Sequence, residues 1–149
     1  MAKAVKVKAA LELSKRMNQR NEQKTLVLNH SKVVYECLQY ELAELEHEEF
    51  WVLYLNQSSK LLEKHRLSQG GITQTSVDIR LALKRAVEVG ATALILAHNH
   101  PSGNLKPSQS DKDITHKFSA AAKLVDLSVL DHLIISEKGY FSFADEDLM

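Results

Sequence analysis

The segment HNHPSGNLKPSQSD, residues 98–111, gathers two histidines, three serines and an aspartate around both of the chain's prolines. His98 and His100 stand two residues apart, and an extended backbone would turn both imidazoles to one side. Pro101 disfavours helix at His100 and so keeps the pair extended. Asp111 then arrives by way of a Pro/Gly/Asn-containing loop at the start of a helix. Two neutral imidazoles, one carboxylate and a water make up the open, four-coordinate arrangement of catalytic zinc. Each piece also has a plainer reading. Ser108-x-x-Asp111 has the form of a capping box with Asp in the N3 position, where its charge suits the helix dipole. A His-x-His pair can equally be two surface histidines.

Other metal and nucleophile signatures fail. His47-Glu48 is followed by Trp51 where H-E-x-x-H needs its second histidine. The deaminase pair P-C-x-x-C is absent, since Cys37 is the only cysteine. That count also excludes an internal disulfide, and the setting VVYECLQYEL makes Cys37 a packed thiol on a helix. The serine of PSG stands in no nucleophile elbow.

The surrounding elements must hold the His/Asp group in place. ATALILA (91–97) has no polar side, as expected of a strand covered on both faces. EEFWVLYLN (48–56), aromatic and β-branched, reads as another strand, with KLLEKHRLSQ (60–69) as its hairpin partner. Gly70-Gly71 end that hairpin, and Thr75 or Ser76 is expected to start a helix carrying Val77, Ile79, Leu81, Leu83, Ala86 and Val87. A helix is expected from about Ser108 to Leu124, then strands near 129–136 and 140–144 about a Lys138-Gly139 turn. Upstream, residues 4–18 show helical spacing before a polar break, NQRNEQK, and Ser31 is expected to cap a second helix. The order predicts an α/β fold with helices covering a central mixed sheet.

At 149 residues the chain can bury one real core, and 44% hydrophobic residues argue against global disorder. Nineteen basic residues balance nineteen acidic ones, so no overall field draws it to nucleic acid or membrane. Residues 1–24 carry seven Lys/Arg against Glu12 and Glu22, and read as a basic, solvated helix and linker ahead of a main domain at 25–149. The N-terminal stretch has no continuous apolar core and does not read as a signal peptide. No apolar run approaches the roughly 20 residues of a membrane helix, so the cytoplasm is the expected compartment and no membrane partner is expected.

The spacing H-x-H-x7-S-x2-D, met here by His98, His100, Ser108 and Asp111, resembles the signature of the JAMM (MPN+/JAB) metallopeptidases. The longer wording ALILAHNHPSGNLKPSQSDKDIT, with LDHLII and FSFAD downstream, is similar to the RadC branch of that family, from about Ala9 onward. The resemblance implies a JAB/MPN (cytidine-deaminase-like) architecture for residues 25–149. It also implies Zn2+ held by His98, His100 and Asp111, and a Ser108 hydroxyl that hydrogen-bonds the oxyanion of a tetrahedral intermediate. The family uses an upstream glutamate as general base at the start of the first core strand. Glu48 matches best and Glu49 is the alternative; neighbours on a strand face opposite ways, so only one can reach the metal water.

The implied reaction is hydrolysis of a peptide or isopeptide amide in a protein or peptide substrate. Asp131-His132 also matches the branch, either as polar residues at a strand start or as support for the ligands. Asn99 and Ser102 are candidates for shaping the loop, and His30, His47, His65 and His116 are expected at the surface. RadC proteins carry a helix-hairpin-helix region ahead of this domain, and the first residues here resemble only its last helix. Two competing expectations stand beside the hydrolase: a non-catalytic nucleic-acid-associated module, and a scaffold that keeps zinc for stability alone.

Overall fold

The computed structural model describes residues 2–23, 26–70 and 77–149. Helix α1 (Ala2–Gln23) precedes α2 (Ser31–Leu42), β1 (Glu49–Leu55), β2 (Leu61–Gln69), α3 (Ile79–Val89), β3 (Ala93–Asn99), α4 (Gln109–Lys123), β4 (Ser128–Ser136) and β5 (Gly139–Ser142). The strands form one sheet in the order β2-β1-β3-β4-β5. Only β3 and β4, joined through α4, run parallel; the other neighbours are antiparallel. The fold is thus the expected α/β arrangement, a mixed sheet flanked by helices. Among the described residues no helix is long and apolar enough to cross a membrane.

Alternation along the central strands divides the core into two layers. Leu53, Leu55, Ala93, Ile95, Ala97, Leu133 and Ile135 face α2, packing with Val34, Leu38 and Leu42. Phe50, Val52, Tyr54, Leu94 and Leu96 face the other way, onto Ile79, Ala82 and Ala86 of α3 and Phe118 and Ala122 of α4. Every residue of β3 is buried, as a strand with no polar side requires. The even-numbered row of β3 continues past Leu96 to His98, which sets that imidazole on the α3/α4 face.

Several boundaries differ from the sequence expectation. β3 runs on to Asn99, so His98 belongs to the strand itself. The expected break after residue 18 is helix to Gln23, because Asn, Gln, Arg and Glu are tolerated in a helix interior and neither Gly nor Pro interrupts. Val5, Val7, Leu11 and Leu13 of α1 are exposed. Ser31 does not cap α2: His30 holds that position without a side-chain cap bond. The Ser31 hydroxyl instead donates to Asp145 and lies 3.3 Å from the Tyr140 hydroxyl.

Thr75 and Ser76 lie outside the described residues. The cap of α3 is Asp78, whose carboxylate accepts the Arg80 N–H, and the helix ends at Gly90 with φ +69°, a left-handed position that suits glycine. Cys37 is half-buried against the α2-side core. His30, His65 and His116 are exposed as expected, whereas His47 is half-buried against Glu49.

Candidate metal centre

Three side chains converge where β3 leaves the sheet. His98 Nε2 lies 3.0 Å from His100 Nε2 and 3.2 Å from Asp111 Oδ1, and His100 Nε2 lies 3.5 Å from Asp111 Oδ2. Tetrahedral ligands about 2.0–2.1 Å from a zinc ion stand roughly 3.3 Å from one another, so the triangle has the size such an ion needs. Among the described residues, His98, His100 and Asp111 form a group that could hold a metal ion. Two neutral imidazoles and a carboxylate leave a divalent ion one open position and a net positive charge.

Local backbone chemistry explains the convergence. His100-Pro101-Ser102-Gly103 closes a turn in which the Gly103 N–H donates to the His100 carbonyl at 3.0 Å, with proline second and glycine last at φ +77°. The returning chain places the Asn104 carbonyl 2.6 Å from His100 Nδ1, which orients that ring. Ser108 then caps α4 in a complete capping box: its Oγ accepts the Asp111 N–H at 3.1 Å, and Asp111 Oδ2 accepts the Ser108 N–H at 2.7 Å. The capping box and the clustering of Asp111 with the two histidines therefore coexist. One carboxylate oxygen is spent on the cap, and Oδ1 remains directed at His98.

The electrostatics follow from this proximity. Burial raises the Asp111 pKa, but hydrogen bonds with His100 and His98 outweigh it and hold the carboxyl well below the usual range. Burial opposes charge on His100, and the Asp111 carboxylate, the Asn104 carbonyl and Glu48 together raise its pKa above the ordinary histidine value. The site thus favours cationic charge between these groups.

The two glutamates at the start of β1 separate onto opposite faces. Glu48 lines the cleft of about 590 Å³ that holds His98, His100, Ser108 and Asp111, two residues before Phe50 in the row that faces α3 and α4. Glu49 is buried on the other side. Its Oε1 accepts from Arg66 Nη1 at 3.0 Å and lies 3.0 Å from His47 Nε2, while Oε2 accepts from the Trp51 indole at 2.9 Å. Burial alone would raise the Glu49 pKa, but these donors prevail and lower it below 4.5.

A carboxyl depressed in the fold stabilises above its unfolded value and loses that contribution as pH falls through the folded one. Glu49→Gln is therefore expected to destabilise the protein most near neutral pH, with the deficit shrinking below about pH 4.5. Urea midpoints of both proteins across pH 3–7 measure this; a deficit independent of pH would contradict it.

Asn99, between the two histidines, holds the chain on either side of Glu48. Its Oδ1 accepts the Glu49 N–H at 2.7 Å and its Nδ2 donates to the His47 carbonyl at 2.8 Å. The carbonyl of Glu48 itself accepts from the Gly70 N–H at 2.8 Å. Asn99 therefore grips the start of β1 rather than the loop after β3, while Ser102 receives the Asn104 N–H at 3.3 Å inside that loop. Asn99→Ala would leave a buried N–H without a partner and is expected to cost about 1–3 kcal/mol, read as a lower denaturation midpoint.

A third histidine stands behind His98. β4 carries a bulge at Leu130, because Leu94 pairs with Val129 and Ile95 with Asp131. The extra residue turns Asp131 toward the α2 side, where Ser142 and the Ala144 N–H bind it, and His132 toward the metal side. His132 is fully buried, with Nε2 at 2.8 Å from His98 Nδ1 and Nδ1 at 2.6 Å from Thr115 Oγ1. Burial pushes its pKa well below the ordinary value. Thr115 escaped the sequence reading. Its one available signal was a position four residues after Asp111, from which a helical threonine hydroxyl reaches back to the carbonyl one turn earlier.

Residues 28–148 match the RadC-like JAB domain family. A UPF0758 protein of Flavobacterium johnsoniae is 51% identical over 147 residues, 99% of this chain and 64% of that protein. Another, from Porphyromonas gingivalis, is 46% identical over 149 residues, covering 66% of its own length. The UPF0758 protein YfjY of Escherichia coli K12 is 47% identical over 112 residues, 75% of this chain and 70% of that protein. The chain thus spans somewhat less than two thirds of the length of the first two relatives. A family match over most of the chain, with relatives at this level of identity, shows that it belongs to the RadC-like JAB domain family.

Proposed function

We propose that this protein hydrolyses a peptide or isopeptide amide, with zinc at His98, His100 and Asp111, Glu48 as general base and Ser108 as donor to the developing oxyanion. The observation that carries this reading is that Glu48 shares one cleft with all three ligand side chains while Glu49 is bound on the opposite face. A bound zinc ion would supply a Lewis acid and lower the pKa of a water toward about 7.

The chain's own groups account for the rest. Among the described residues no hydrogen-bond donor engages the Glu48 carboxylate, so it is available to take the proton of an attacking water and return it to the leaving nitrogen. Ser108 Oγ already accepts the Asp111 N–H. Its own proton is left to donate into the cleft, where charge develops on the carbonyl oxygen. Phe50, Val77 and Ile114 supply an apolar wall and Lys106 a cation at the rim. The proposed substrate is a protein or peptide in the cytoplasm, where a chain with one cysteine is at home.

The test is metal content by mass spectrometry on protein purified without added zinc, followed by peptide and isopeptide libraries offered to the zinc-loaded enzyme. About one zinc per chain, with products that disappear in Glu48→Gln, supports the proposal. Protein that takes up no zinc when it is supplied overturns it.

A further inference from the structure

The hydrogen bonds behind the ligands have a direction that the ligand geometry imposes. His98 turns Nε2 toward His100 and Asp111, so Nε2 must carry the lone pair if it is to bind a cation. The ring proton then sits on Nδ1 and is donated to His132 Nε2. With Nε2 accepting, the ring proton of His132 lies on Nδ1 and is donated to Thr115 Oγ1. The Thr115 hydroxyl in turn donates to the backbone carbonyl of Asp111. The path leaves one ligand on β3, crosses β4 and α4, and ends at the peptide of another ligand. No other proton arrangement satisfies all three hydrogen bonds while leaving His98 Nε2 bare.

The surroundings leave this path little freedom. His132 and Thr115 are fully buried, so water cannot replace either partner. The His132 ring stacks on Phe143 at 4.9 Å and 16°, and lies against Phe50 at 5.4 Å.

We infer that His132 and Thr115 are positioning residues that hold the proton of His98 on Nδ1, aim its Nε2 at the metal position and tie the ligand strand to the ligand helix. The inference rests on the proposal that the cluster holds zinc. Partners of this kind behind a metal-binding histidine typically change metal affinity 10–100-fold when removed. Thr115→Val keeps the shape of the side chain and removes both the acceptor of His132 and the donor to Asp111.

The experiment is zinc titration against a competing chelator for wild type, Thr115→Val and Thr115→Ser. Long-range 1H–15N correlation spectra of the zinc-loaded wild type report which imidazole nitrogens carry protons. The expected results are affinity about 10–100-fold lower in Thr115→Val, recovery in Thr115→Ser, and protons on Nδ1 of both His98 and His132. A side chain with only a packing role would be replaced by the equally shaped valine without change in zinc affinity, leaving nothing for serine to rescue. Zinc binding by Thr115→Val equal to wild type, or a His132 protonated at Nε2 in the zinc-loaded protein, would overturn the inference. The spectra of wild type decide the matter even where Thr115→Val fails to fold. Wild type that binds no zinc would instead overturn the proposed function, on which this inference depends.

Discussion

Glu48→Gln is expected to leave zinc bound and to lower amide hydrolysis by about 10²–10⁴-fold, the usual contribution of a positioned general base. That loss corresponds to roughly 3–5 kcal/mol of transition-state stabilisation. The substitution changes neither the length of the side chain nor any proposed ligand, and it removes, among the described residues of the cleft, the carboxylate that neither the cap nor the His98/His100 cluster engages. Its backbone surroundings are unaffected, since Asn99 grips the residues on either side and Gly70 binds the carbonyl. The measurement is turnover of any library peptide cleaved by wild type, with zinc content determined on the same samples. Equal turnover would remove Glu48 from the mechanism. Loss of zinc together with turnover would make it part of the binding site instead.

His98→Ala/His100→Ala is expected to take zinc content from about one per chain to none. One carboxylate, already engaged by the cap of α4, cannot replace two imidazoles. Zinc that binds only the folded protein stabilises it by about 4 kcal/mol at a thousandfold excess over the dissociation constant. The thermal midpoint of wild type should therefore rise with added zinc while that of the double variant stays flat. The fold itself should survive. His98 is the penultimate residue of β3 and His100 lies beyond the strand, so the Leu94 and Leu96 layer against α3 and α4 keeps its packing. Zinc retained at full stoichiometry would place the ion elsewhere and refute the ligand assignment.

The two variants separate the three functions considered from the sequence. A hydrolase loses turnover in both. A scaffold that keeps zinc for stability alone loses stability in the double histidine variant and nothing in Glu48→Gln. A nucleic-acid module would be indifferent to Glu48 and would bind with a steep dependence on salt.

Much of this arrangement was legible in the chain itself. The all-apolar run 91–97, the aromatic strand before it and the proline after His100 were enough to predict a buried strand delivering two imidazoles to one place. Ser108 and Asp111 were legible twice over, as a helix start and as part of a candidate metal set, and the structure shows one Asp111 oxygen at the cap and the other directed at His98. Local rules suffice for such features, because period, turn chemistry and capping act within a few residues.

What the tertiary structure decided lies in the registers between strands. Alternation required Glu48 and Glu49 to part, but only the packing of β1 against β3 shows which faces the cleft: the Phe50 row turns to α3 and α4, and Arg66, Trp51 and His47 claim Glu49. The bulge at Leu130 is likewise invisible in a single strand, yet it exchanges the faces of Asp131 and His132 and so carries the third histidine to the side of His98. Thr115 has meaning only once that histidine stands beside it. Composition, period and spacing name the residues that could bind a metal, whereas register, a property of two strands at once, chooses the residues that hold them.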